Sequence, residues 1–377
     1  MDTLKTRTWA EISTDRLSYN IQSLKSCLRP HTKLLCAVKA DGYGHGAAFV
    51  AQTFLKAGAD YLAVATIDEG MELRENDIDA PILCLGYIEK TRIAEAVSHD
   101  ITLTVFSYEY AEAVSAAAGS QRKTAKIHIK IDTGMGRIGY VYTEKGNKAI
   151  ISEIAKIIAL PAIEVEGLFT HMSCSDEEQN PYNYLQINNF KKCIDDLEKE
   201  KLSIPIKHIC NSSAILNFPQ VHMDMVRAGI ACYGLYPSPT LKKRIDLQQA
   251  LTLKTRIVHV KTLEAGYGIS YGKTYTIPSK QVIATVPIGY ADGYTRLLSN
   301  KAQMLVNGQY VNVVGKICMD QCMIDVTTVH NINIGDEVTV IGDESTNISI
   351  DHVAELIGTI NYEVVCAIGK RVPRMYI

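Results

Sequence analysis

A lysine stands at the end of an apolar run near the amino terminus. In CAVKADGYGHGA (residues 36–47), Lys39 is followed by three glycines interleaved with Tyr43 and His45. A lysine that loses its proton in a desolvated site can attack a carbonyl and form an imine. The common alternative is a solvent-exposed ammonium on an aliphatic stem. The glycines match neither the phosphate loop that ends in Gly-Lys-Ser/Thr nor the G-x-G-x-x-G motif. The stretch alone therefore makes Lys39 only a candidate for this chemistry.

Further polar residues accompany other apolar runs. They are Lys130 and Asp132 in IHIKID, His171 in VEGLFTH, Asn211 and Ser212 in HICNSS, and Arg227, Gly229 and Ile230 in MVRAGIACYG. Eight β-type runs between residues 34 and 234 alternate with helix-length amphipathic segments. This alternation predicts a (β/α)8 barrel, with an open doubly wound sheet as the alternative. Since active sites of such barrels lie at the carboxyl ends of the strands, we expect these side chains to surround one cavity.

Periodicity predicts one of the helices in detail. Apolar residues recur every three or four positions over residues 184–197, which places them on one face of a helix. They are Tyr184, Ile187, Phe190, Ile194 and Leu197.

The second part of the chain has a different pattern. After about residue 240, β-type runs follow one another without helices between them, and Asn307-Gly308 is a typical two-residue hairpin turn. One late helix is expected over residues 350–357. We therefore predict an α/β chain with an N-terminal (β/α)8 TIM barrel (residues 1–240) and a C-terminal mainly-β domain (residues 241–377), with which about the first ten residues pack.

Composition narrows the functional classes. A net charge of −2 and 21% charged residues favour neither disorder nor nucleic-acid binding. No apolar stretch approaches the roughly 18 residues of a membrane span, and MDTLKTRTWAEIS lacks the apolar core of a signal peptide. The ten cysteines show no metal-ligand spacing. We expect a cytoplasmic protein with reduced cysteines, no metal and a small-molecule substrate.

Nine stretches in both halves of the chain carry a family resemblance. They are AVKADGYGHG, KIDTGMGRIG, FTHMSCSD, CNSSA, MVRAGIACYG, GISYGKTY, PIGYADGYTR, GKICMDQCMIDV and GTINYEVVCAIGKRVPR. In this order they resemble the pyridoxal-phosphate-dependent alanine racemases. The resemblance implies pyridoxal 5′-phosphate as cofactor, interconversion of L-alanine and D-alanine for peptidoglycan, and a homodimer whose active sites are shared between subunits.

The resemblance also implies roles for individual residues. Lys39 would bind the cofactor and act as the base on one face of the substrate, and Tyr271 of the partner subunit would be the base on the other. The other cofactor-binding residues would be Tyr43, His171, Asn211, Ser212, Arg227, Gly229, Ile230 and Tyr362. Arg137 and Met319 would bind the substrate, with Lys130, Tyr290, Cys318 and Asp320 in supporting positions.

Two of these positions have specific chemical consequences. An arginine only donates hydrogen bonds, so Arg227 should leave the ring nitrogen of the cofactor unprotonated and weaken its capacity to accept electrons. Such weakening suppresses side reactions such as transamination. Lys130 would lie beside Arg137, where two cations repel, and we hypothesise that Lys130 is carbamylated or that a chloride takes the place of the carbamate.

Three alternatives remain. Serine racemases of the same family often have asparagine where this chain has Tyr362, whose bulk favours alanine. Decarboxylases of basic amino acids share the fold, but CMDQC does not match their motif well. A non-catalytic pyridoxal-phosphate carrier would have a barrel and a lysine without a β domain. One departure from the family, Gly42 in place of a frequent alanine, adds backbone freedom next to Lys39.

Overall fold

The computed structural model describes residues 6–377, which form two compact units. The barrel unit consists of Leu17–Gly42 and Ala47–Leu247. The β unit consists of the described residues up to Arg16, of Tyr43–Gly46 and of Gln248–Ile377. Strand β1 (Thr8–Ile12) belongs to the β unit, and helix α1 (Thr14–Ser26) begins in the β unit and continues into the barrel unit. The part of the packing prediction that concerns residues 1–5 lies outside the described residues.

Eight parallel strands form the centre of the barrel unit. They are β2 (Lys33–Ala37), β3 (Tyr61–Val64), β4 (Ile82–Cys84), β5 (Ile101–Val105), β6 (Ala125–Asp132), β8 (Ile163–Phe169), β9 (Ile206–His208) and β10 (Met225–Ala228). From β2 to β9 each pairs with the next of these strands, and β10 pairs with β2. Between β9 and β10, the amide of Asp224 donates to the Lys207 carbonyl (3.2 Å) and that of Arg227 to the Cys210 carbonyl (3.0 Å). The sheet is a nearly closed barrel, which confirms the predicted fold over an open sheet.

Helices separate the barrel strands. They are α3 (Ala47–Lys56), α4 (Ile67–Glu75), α5 (Ile93–Ser98), α6 (Tyr108–Ser120), α7 (Lys148–Ile158), α8 (Tyr182–Lys199) and α9 (Ser212–Asn217). A short strand β7 (Tyr140–Val141) pairs with the end of β6. Short 3-10 helices cover Lys90–Arg92, Pro219–Val221, Ile230–Tyr233 and Pro239–Lys243.

Side-chain caps and buried faces explain where these helices begin and how they pack. Thr66 and Glu69 form a capping box at the start of α4. The predicted apolar face of α8 is buried at Ile187, Phe190 and Leu197. For Tyr184 the prediction is wrong, because this residue is 52% exposed in the first turn of α8, where its ring lies edge-on to that of Phe218 at 6.0 Å between centroids.

A left-handed helical turn follows β2. In α2 (Lys39–Tyr43), φ is 52° at Ala40, 53° at Asp41 and 59° at Gly42. Residues other than glycine lose about 1–2 kcal/mol each in this conformation, so the turn needs support from its surroundings. The Gly42 amide donates to the Val38 carbonyl (2.8 Å), and Asp41 accepts from the Ala47 amide (2.9 Å). A Cβ on Gly42 would lie 2.7 Å from a Val50 methyl, which explains glycine there.

Three sheets and two helices form the β unit. Its further strands are β11 (Leu251–Arg256), β12 (His259–Leu263), β13 (Gly268–Ile269), β14 (Tyr275–Thr276), β15 (Gln281–Val286), β16 (Gln303–Val306), β17 (Gln309–Asn312), β18 (Cys322–Asp325), β19 (Glu337–Ile341) and β20 (Arg374–Tyr376). The sheets have the orders β17-β16-β19-β11-β1-β20, β12-β15-β18 and β13-β14. Short 3-10 helices cover Tyr271–Lys273, Tyr290–Asp292 and Arg296–Leu298.

Several local predictions for this unit are confirmed. Val306 faces Gln309 across the predicted hairpin, and Asn307 (φ 47°) and Gly308 (φ 77°) have the positive φ angles of a two-residue turn. Helix α10 (Ile350–Ile357) lies where it was expected, whereas α11 (Asn361–Cys366) was not predicted. No helix within residues 6–377 is long and apolar enough to cross a membrane.

Candidate active site

The carboxyl ends of β6, β8, β9 and β10 bring a group of cations and histidines together. Arg227 is 5% exposed on β10 and Lys130 is 2% exposed on β6. Both lie over the ring of Phe169, with Lys130 Nζ 4.5 Å and the Arg227 guanidinium carbon 5.4 Å from its centroid. An aromatic face attracts cations, so Phe169 helps this end of the barrel to hold two of them.

Four neutral acceptors orient Arg227. Its Nη1 lies 2.8 Å from His208 Nδ1 and its Nη2 lies 3.2 Å from His171 Nδ1. Nη2 also donates to the carbonyls of Thr170 (2.7 Å) and Ile209 (3.1 Å). All four hydrogen bonds come from the Nη atoms. The Nε–H therefore has no hydrogen-bond acceptor among residues 6–377.

Burial and mutual repulsion shift the pKa values of this group. Burial lowers the pKa of Lys130 well below its ordinary value, and the charges of Arg227 and Arg137 lower it further against the opposing effect of Asp132. Desolvation and the same cations also lower the pKa of His171, to which the charge of Lys39 contributes. Lys130 therefore loses its proton more easily than an exposed lysine, and the neutral amine so formed is nucleophilic.

Asp132 shapes the loop that carries Arg137. Its Oδ1 accepts from the amides of Gly134 (2.9 Å), Met135 (2.9 Å) and Gly136 (3.1 Å), which folds the chain tightly after β6. Arg137 is exposed on this loop. Its charge still acts on Lys130, so the loop keeps the guanidinium near the barrel end.

The loops after β9 and β10 meet at a hydrogen bond between Ser212 and Gly229. Asn211 caps α9, accepting from the Ala214 amide (3.0 Å) and from the Ser175 hydroxyl (2.7 Å). Ser212 Oγ accepts from the Gly229 amide (2.8 Å), immediately before the 3-10 helix that begins at Ile230. The observed role of Asn211 is structural, and the structure places Ser212, Gly229 and Ile230 in adjacent loops at the carboxyl ends of the strands.

Other predicted residues lie in the β unit. The Tyr290 amide donates to the Cys318 carbonyl (3.1 Å), so the two segments that carry them are joined. Ser270, which precedes Tyr271, donates to the Lys316 carbonyl (2.5 Å), on the chain leading to Cys318. Tyr271 (65%), Tyr290 (44%) and Met319 (52%) expose their side chains, which leaves them available for a ligand or a partner.

Three further predicted residues of this unit have identifiable neighbours. The rings of Tyr43 and Tyr362 lie 6.1 Å apart between centroids. Asp320 accepts from Arg371 (2.7 Å), which also pairs with the fully buried Asp292 (2.9 Å). Arg371 and Asp292 therefore anchor the segment that contains Asp320.

Three polar residues that connect Arg227 with the interior of the barrel were not predicted. Glu166 on β8, His128 on β6 and His208 on β9 extend its hydrogen bonding into the barrel. The sequence carried a signal for them, because each interrupts or adjoins an apolar run in IHIKID, VEGLF and KHIC. Polar residues at such positions need partners when they are buried.

Comparison with known proteins decides the family. The family model for the alanine racemase N-terminal domain matches residues 12–237, and that for the alanine racemase C-terminal domain matches residues 250–376. The chain belongs to the alanine racemase family. Alanine racemase 1 of Oceanobacillus iheyensis is 49% identical, covering 98% of each chain. Alanine racemase 1 of Clostridium acetobutylicum is 46% identical, covering 98% of this chain and 95% of that protein.

Solved alanine racemase structures agree with this fold throughout. The alanine racemase of Clostridium difficile 630 has a TM-score of 0.94 at 44% identity, covering 99% of this chain and 96% of that one. The alanine racemase of Bacillus anthracis with bound L-Ala-P has a TM-score of 0.92 at 38% identity, covering 98% of this chain and 95% of that one. The likeness extends over both units.

The residues at the barrel end fit the cofactor of this family. A phosphorylated pyridine aldehyde needs an amine, cations or N–H groups for its phosphate, and a partner for its ring nitrogen. Lys39 would supply the amine, and the Arg227 Nε–H is a donor without an acceptor in the described part of the chain. This donor set suits an unprotonated ring nitrogen.

The buried histidines predict a loss of stability in mild acid. Burial lowers the pKa of His128, His171 and His208 in the folded protein, while an unfolded histidine titrates near 6.5. Below about pH 6.5 the unfolded chain therefore binds more protons, and the free energy of unfolding should fall by up to about 1.36 kcal/mol per pH unit for each histidine. Denaturant titrations between pH 5 and 8 measure this slope.

A matched pair of variants tests whether the buried histidines cause this pH dependence of the free energy of unfolding. His208→Gln should reduce it by the share of one histidine, whereas His330→Gln, which changes an exposed histidine, should not alter it. An unchanged slope in His208→Gln would contradict the assignment.

Proposed function

We propose that this chain interconverts L-alanine and D-alanine, with pyridoxal 5′-phosphate as its cofactor. The observation that supports this best is the buried Arg227 guanidinium, held by four neutral acceptors with its Nε–H left for a ligand, in a chain of the alanine racemase family. Catabolic and biosynthetic roles use the same reaction, and supply of D-alanine to peptidoglycan is the role we propose. We also propose that the protein acts in the cytoplasm.

The proposed roles of the cofactor, Lys39 and Tyr271 follow from the chemistry of racemisation. When bound, pyridoxal phosphate accepts the electron pair left at Cα as the α-hydrogen departs as a proton. Lys39 would take or return that proton on one face, and Tyr271 of the partner subunit would do so on the other. Two bases are needed because one group cannot easily reach both faces of the same carbon.

Other residues of the chain would bind and orient. Arg137 would pair with the substrate carboxylate, to which the Met319 amide would also donate. Tyr43, Ser212 and Tyr362 would hold the cofactor phosphate with the amides near Gly229 and Ile230. This placement is consistent with phosphate sites in the last loops of (β/α)8 barrels.

Supporting roles complete the proposed site. His171 would lie beside the tyrosine base, and Asn211 would fix the loop that carries Ser212. Tyr290 would narrow the access channel for small amino acids, with Cys318 and Asp320 holding the segment around Met319.

We further propose a homodimer in which the barrel of one subunit and the β domain of the other form each site, with domains of residues 1–240 and 241–377. The exposure of Tyr271 and Met319 supports this, because unsupported apolar surface often marks an interface. Sedimentation of the purified protein tests it, and a monomer that is fully active at all concentrations would contradict it.

Incubation with L-alanine in deuterated water tests the reaction itself. We expect exchange of the α-hydrogen and formation of D-alanine on chiral chromatography. Release of carbon dioxide would indicate a decarboxylase, and neither exchange nor release would indicate a carrier. Parallel incubation with L-serine measures the alternative substrate; faster turnover of serine than of alanine would overturn the assignment to alanine.

We predict that Lys130 reacts with carbon dioxide to form a carbamate, or that a chloride lies beside it. The reaction requires a neutral amine, and burial with two neighbouring guanidinium groups keeps the pKa of Lys130 low. The product is an anion, which would replace cation repulsion with attraction to Arg137. Carbon-13 NMR after incubation with labelled bicarbonate should show a carbamate signal in the native protein.

Variants on one strand provide the control. Lys130→Ala should abolish the carbamate signal and Lys126→Ala, four residues earlier on β6, should retain it. A high-resolution map with a bare Lys130 amine and no anion next to Arg137 would refute both forms of the prediction.

A further inference from the structure

A chain of polar side chains crosses the interior of the barrel unit and ends at Arg227. Glu166 Oε2 lies 3.0 Å from His128 Nε2, and His128 Nδ1 lies 2.8 Å from His208 Nε2. His208 Nδ1 lies 2.8 Å from Arg227 Nη1. Both imidazoles are fully buried. Barrel interiors are usually filled by apolar layers. Buried polar networks destabilise a protein unless every member is hydrogen-bonded. The presence of these connected polar side chains therefore requires an explanation.

Arg227 fixes the direction of every hydrogen bond in the chain. A guanidinium only donates, so His208 Nδ1 must accept and the proton of that ring must lie on Nε2. His208 Nε2 then donates to His128 Nδ1, which places the proton of His128 on Nε2 as well. That proton is donated to the Glu166 carboxylate, which only accepts when ionised. With both rings neutral, no other pair of tautomers satisfies all three contacts.

The backbone of β8 is shaped to admit this chain. Ile127 pairs with Val165 and His128 with Gly167, so Glu166 is the extra residue of a β-bulge. Bulges redirect side chains and are frequent next to active sites. A Cβ on Gly167 would lie 2.3 Å from His128 Nδ1, so only glycine leaves space for the ring.

Charge explains why the carboxylate is remote from the guanidinium. Apart from His128 and His208, the ionisable groups that act on Arg227 or are acted on by it are Lys130, Arg137, His171 and Cys210, none of which is a carboxylate. A carboxylate in direct contact would form a bidentate pair with the fork of N–H donors. Two neutral rings instead separate Arg227 from the negative charge, so its Nε–H stays available.

Glu166 has the properties expected of the anionic end. Burial opposes its ionisation, but the hydrogen bonds from His128 and from Tyr61 (3.1 Å) lower its pKa below the ordinary value. On the Arg227 side, burial and the charge of Arg137 lower the pKa of the guanidinium to about 10. Arg227 therefore remains a cation, and Glu166 an anion, at neutral pH.

We propose that Glu166, His128 and His208, which we call the relay, are positioning residues. They hold Arg227 as a donor toward the ring nitrogen of the cofactor. Their function is to keep that nitrogen unprotonated while the balancing negative charge stays two rings away. The proposal rests on the proposed function and adds a determinant of reaction specificity to it. It predicts that loss of the relay increases abortive transamination, in which the amino group of alanine passes to the cofactor and pyruvate is released, relative to racemisation.

The geometry is tested on the cofactor-free protein. Nitrogen-15 NMR of histidine-labelled protein distinguishes protonated from unprotonated ring nitrogens, and the His128→Gln and His208→Gln variants assign the signals. Both rings should be neutral and protonated on Nε2 at neutral pH. Protonation of Nδ1 in either ring would overturn the relay, whether or not the protein racemises alanine.

A pair of substitutions at His208 tests the effect on the cofactor. His208→Leu removes the acceptor, whereas His208→Gln can accept from Arg227 and donate to His128. Loss of one charge-assisted hydrogen bond should weaken binding of pyridoxal phosphate about tenfold to a hundredfold in His208→Leu. The absorption spectrum of its bound cofactor should gain a protonation step between pH 5 and 8, and pyruvate formed per racemisation should rise at least about tenfold. His208→Gln should restore the wild-type values of all three.

Substitution of Glu166, at the end of the relay far from Arg227, distinguishes an effect of the relay from an effect of packing around His208. Glu166→Leu should raise the pyruvate ratio in the same direction, while Glu164→Leu, an exposed position on the same strand, should leave it unchanged. Folding of each variant is checked by its thermal transition. Unchanged spectra and pyruvate ratios in folded His208→Leu and Glu166→Leu would overturn the relay, whereas a wild-type protein that racemises nothing would instead refute the proposed function.

Discussion

Replacing Lys39 with alanine is expected to abolish covalent attachment of pyridoxal phosphate and to reduce racemisation by more than about 10⁴-fold. The variant loses both the amine that would bind the cofactor and a base, and a positioned acid–base group alone contributes about 10²–10⁴-fold. The loss should appear as the absence of the bound-cofactor absorption band after dialysis. Added methylamine should restore part of the activity, because it supplies an amine without the tether.

The strand that precedes Lys39 offers a matched control. Lys33 is exposed at the other end of β2, so Lys33→Ala removes a lysine from the same strand without touching the barrel's carboxyl end. It should retain the absorption band and the activity. Retention of covalently bound cofactor in Lys39→Ala would place the attachment at another residue and refute the proposed site.

Replacing Tyr271 with phenylalanine is expected to separate the two proton transfers. Phenylalanine keeps the ring and removes the hydroxyl, so exchange of the α-hydrogen of L-alanine should fall by about 10²–10⁴-fold. D-alanine should still exchange its α-hydrogen through Lys39 and return as D-alanine. Nuclear magnetic resonance of recovered substrate in deuterated water measures both exchanges.

Steady-state rates alone cannot provide this test. The enantiomers have equal free energies, so kcat/KM in the two directions must change by the same factor in any variant. The different roles of Lys39 and Tyr271 should therefore be detected by exchange of the α-hydrogen without inversion at Cα. Tyr267→Phe, which alters another exposed tyrosine of the β unit, should leave both exchanges unchanged. Equal, mild losses in both exchanges for Tyr271→Phe would defeat the two-base assignment.

Local physical rules made much of the fold predictable from the sequence. Buried parallel strands appear as short apolar runs, and each run from residues 34–234 became a strand or its continuation. The Asn307-Gly308 turn was equally predictable, because few residue pairs adopt two consecutive positive φ angles. Tyr184 misled the helix prediction, since periodicity locates a face without showing how far the neighbouring elements cover it.

The candidate site was less accessible to sequence reasoning. Positions at strand ends identified Lys130, His171 and Arg227, because the fold determines where such ends meet. Their hydrogen-bond partners depend on long-range contacts and on the bulge at Glu166, which no local pattern reveals. The left-handed turn after Lys39 was also hidden, since only one of its first three residues, Gly42, favours that conformation.

The six-stranded sheet of the β unit imposes an order on biosynthesis. Strand β1 leaves the ribosome first but lies between β11 and β20, its partners near the other end of the sequence. At about 5–20 residues per second, translation reaches β11 roughly tens of seconds after β1. During that interval the apolar side chains of β1, including Trp9 and Ile12, have no sheet to join. These side chains therefore stay without their strand partners for the whole time in which the barrel strands are synthesised.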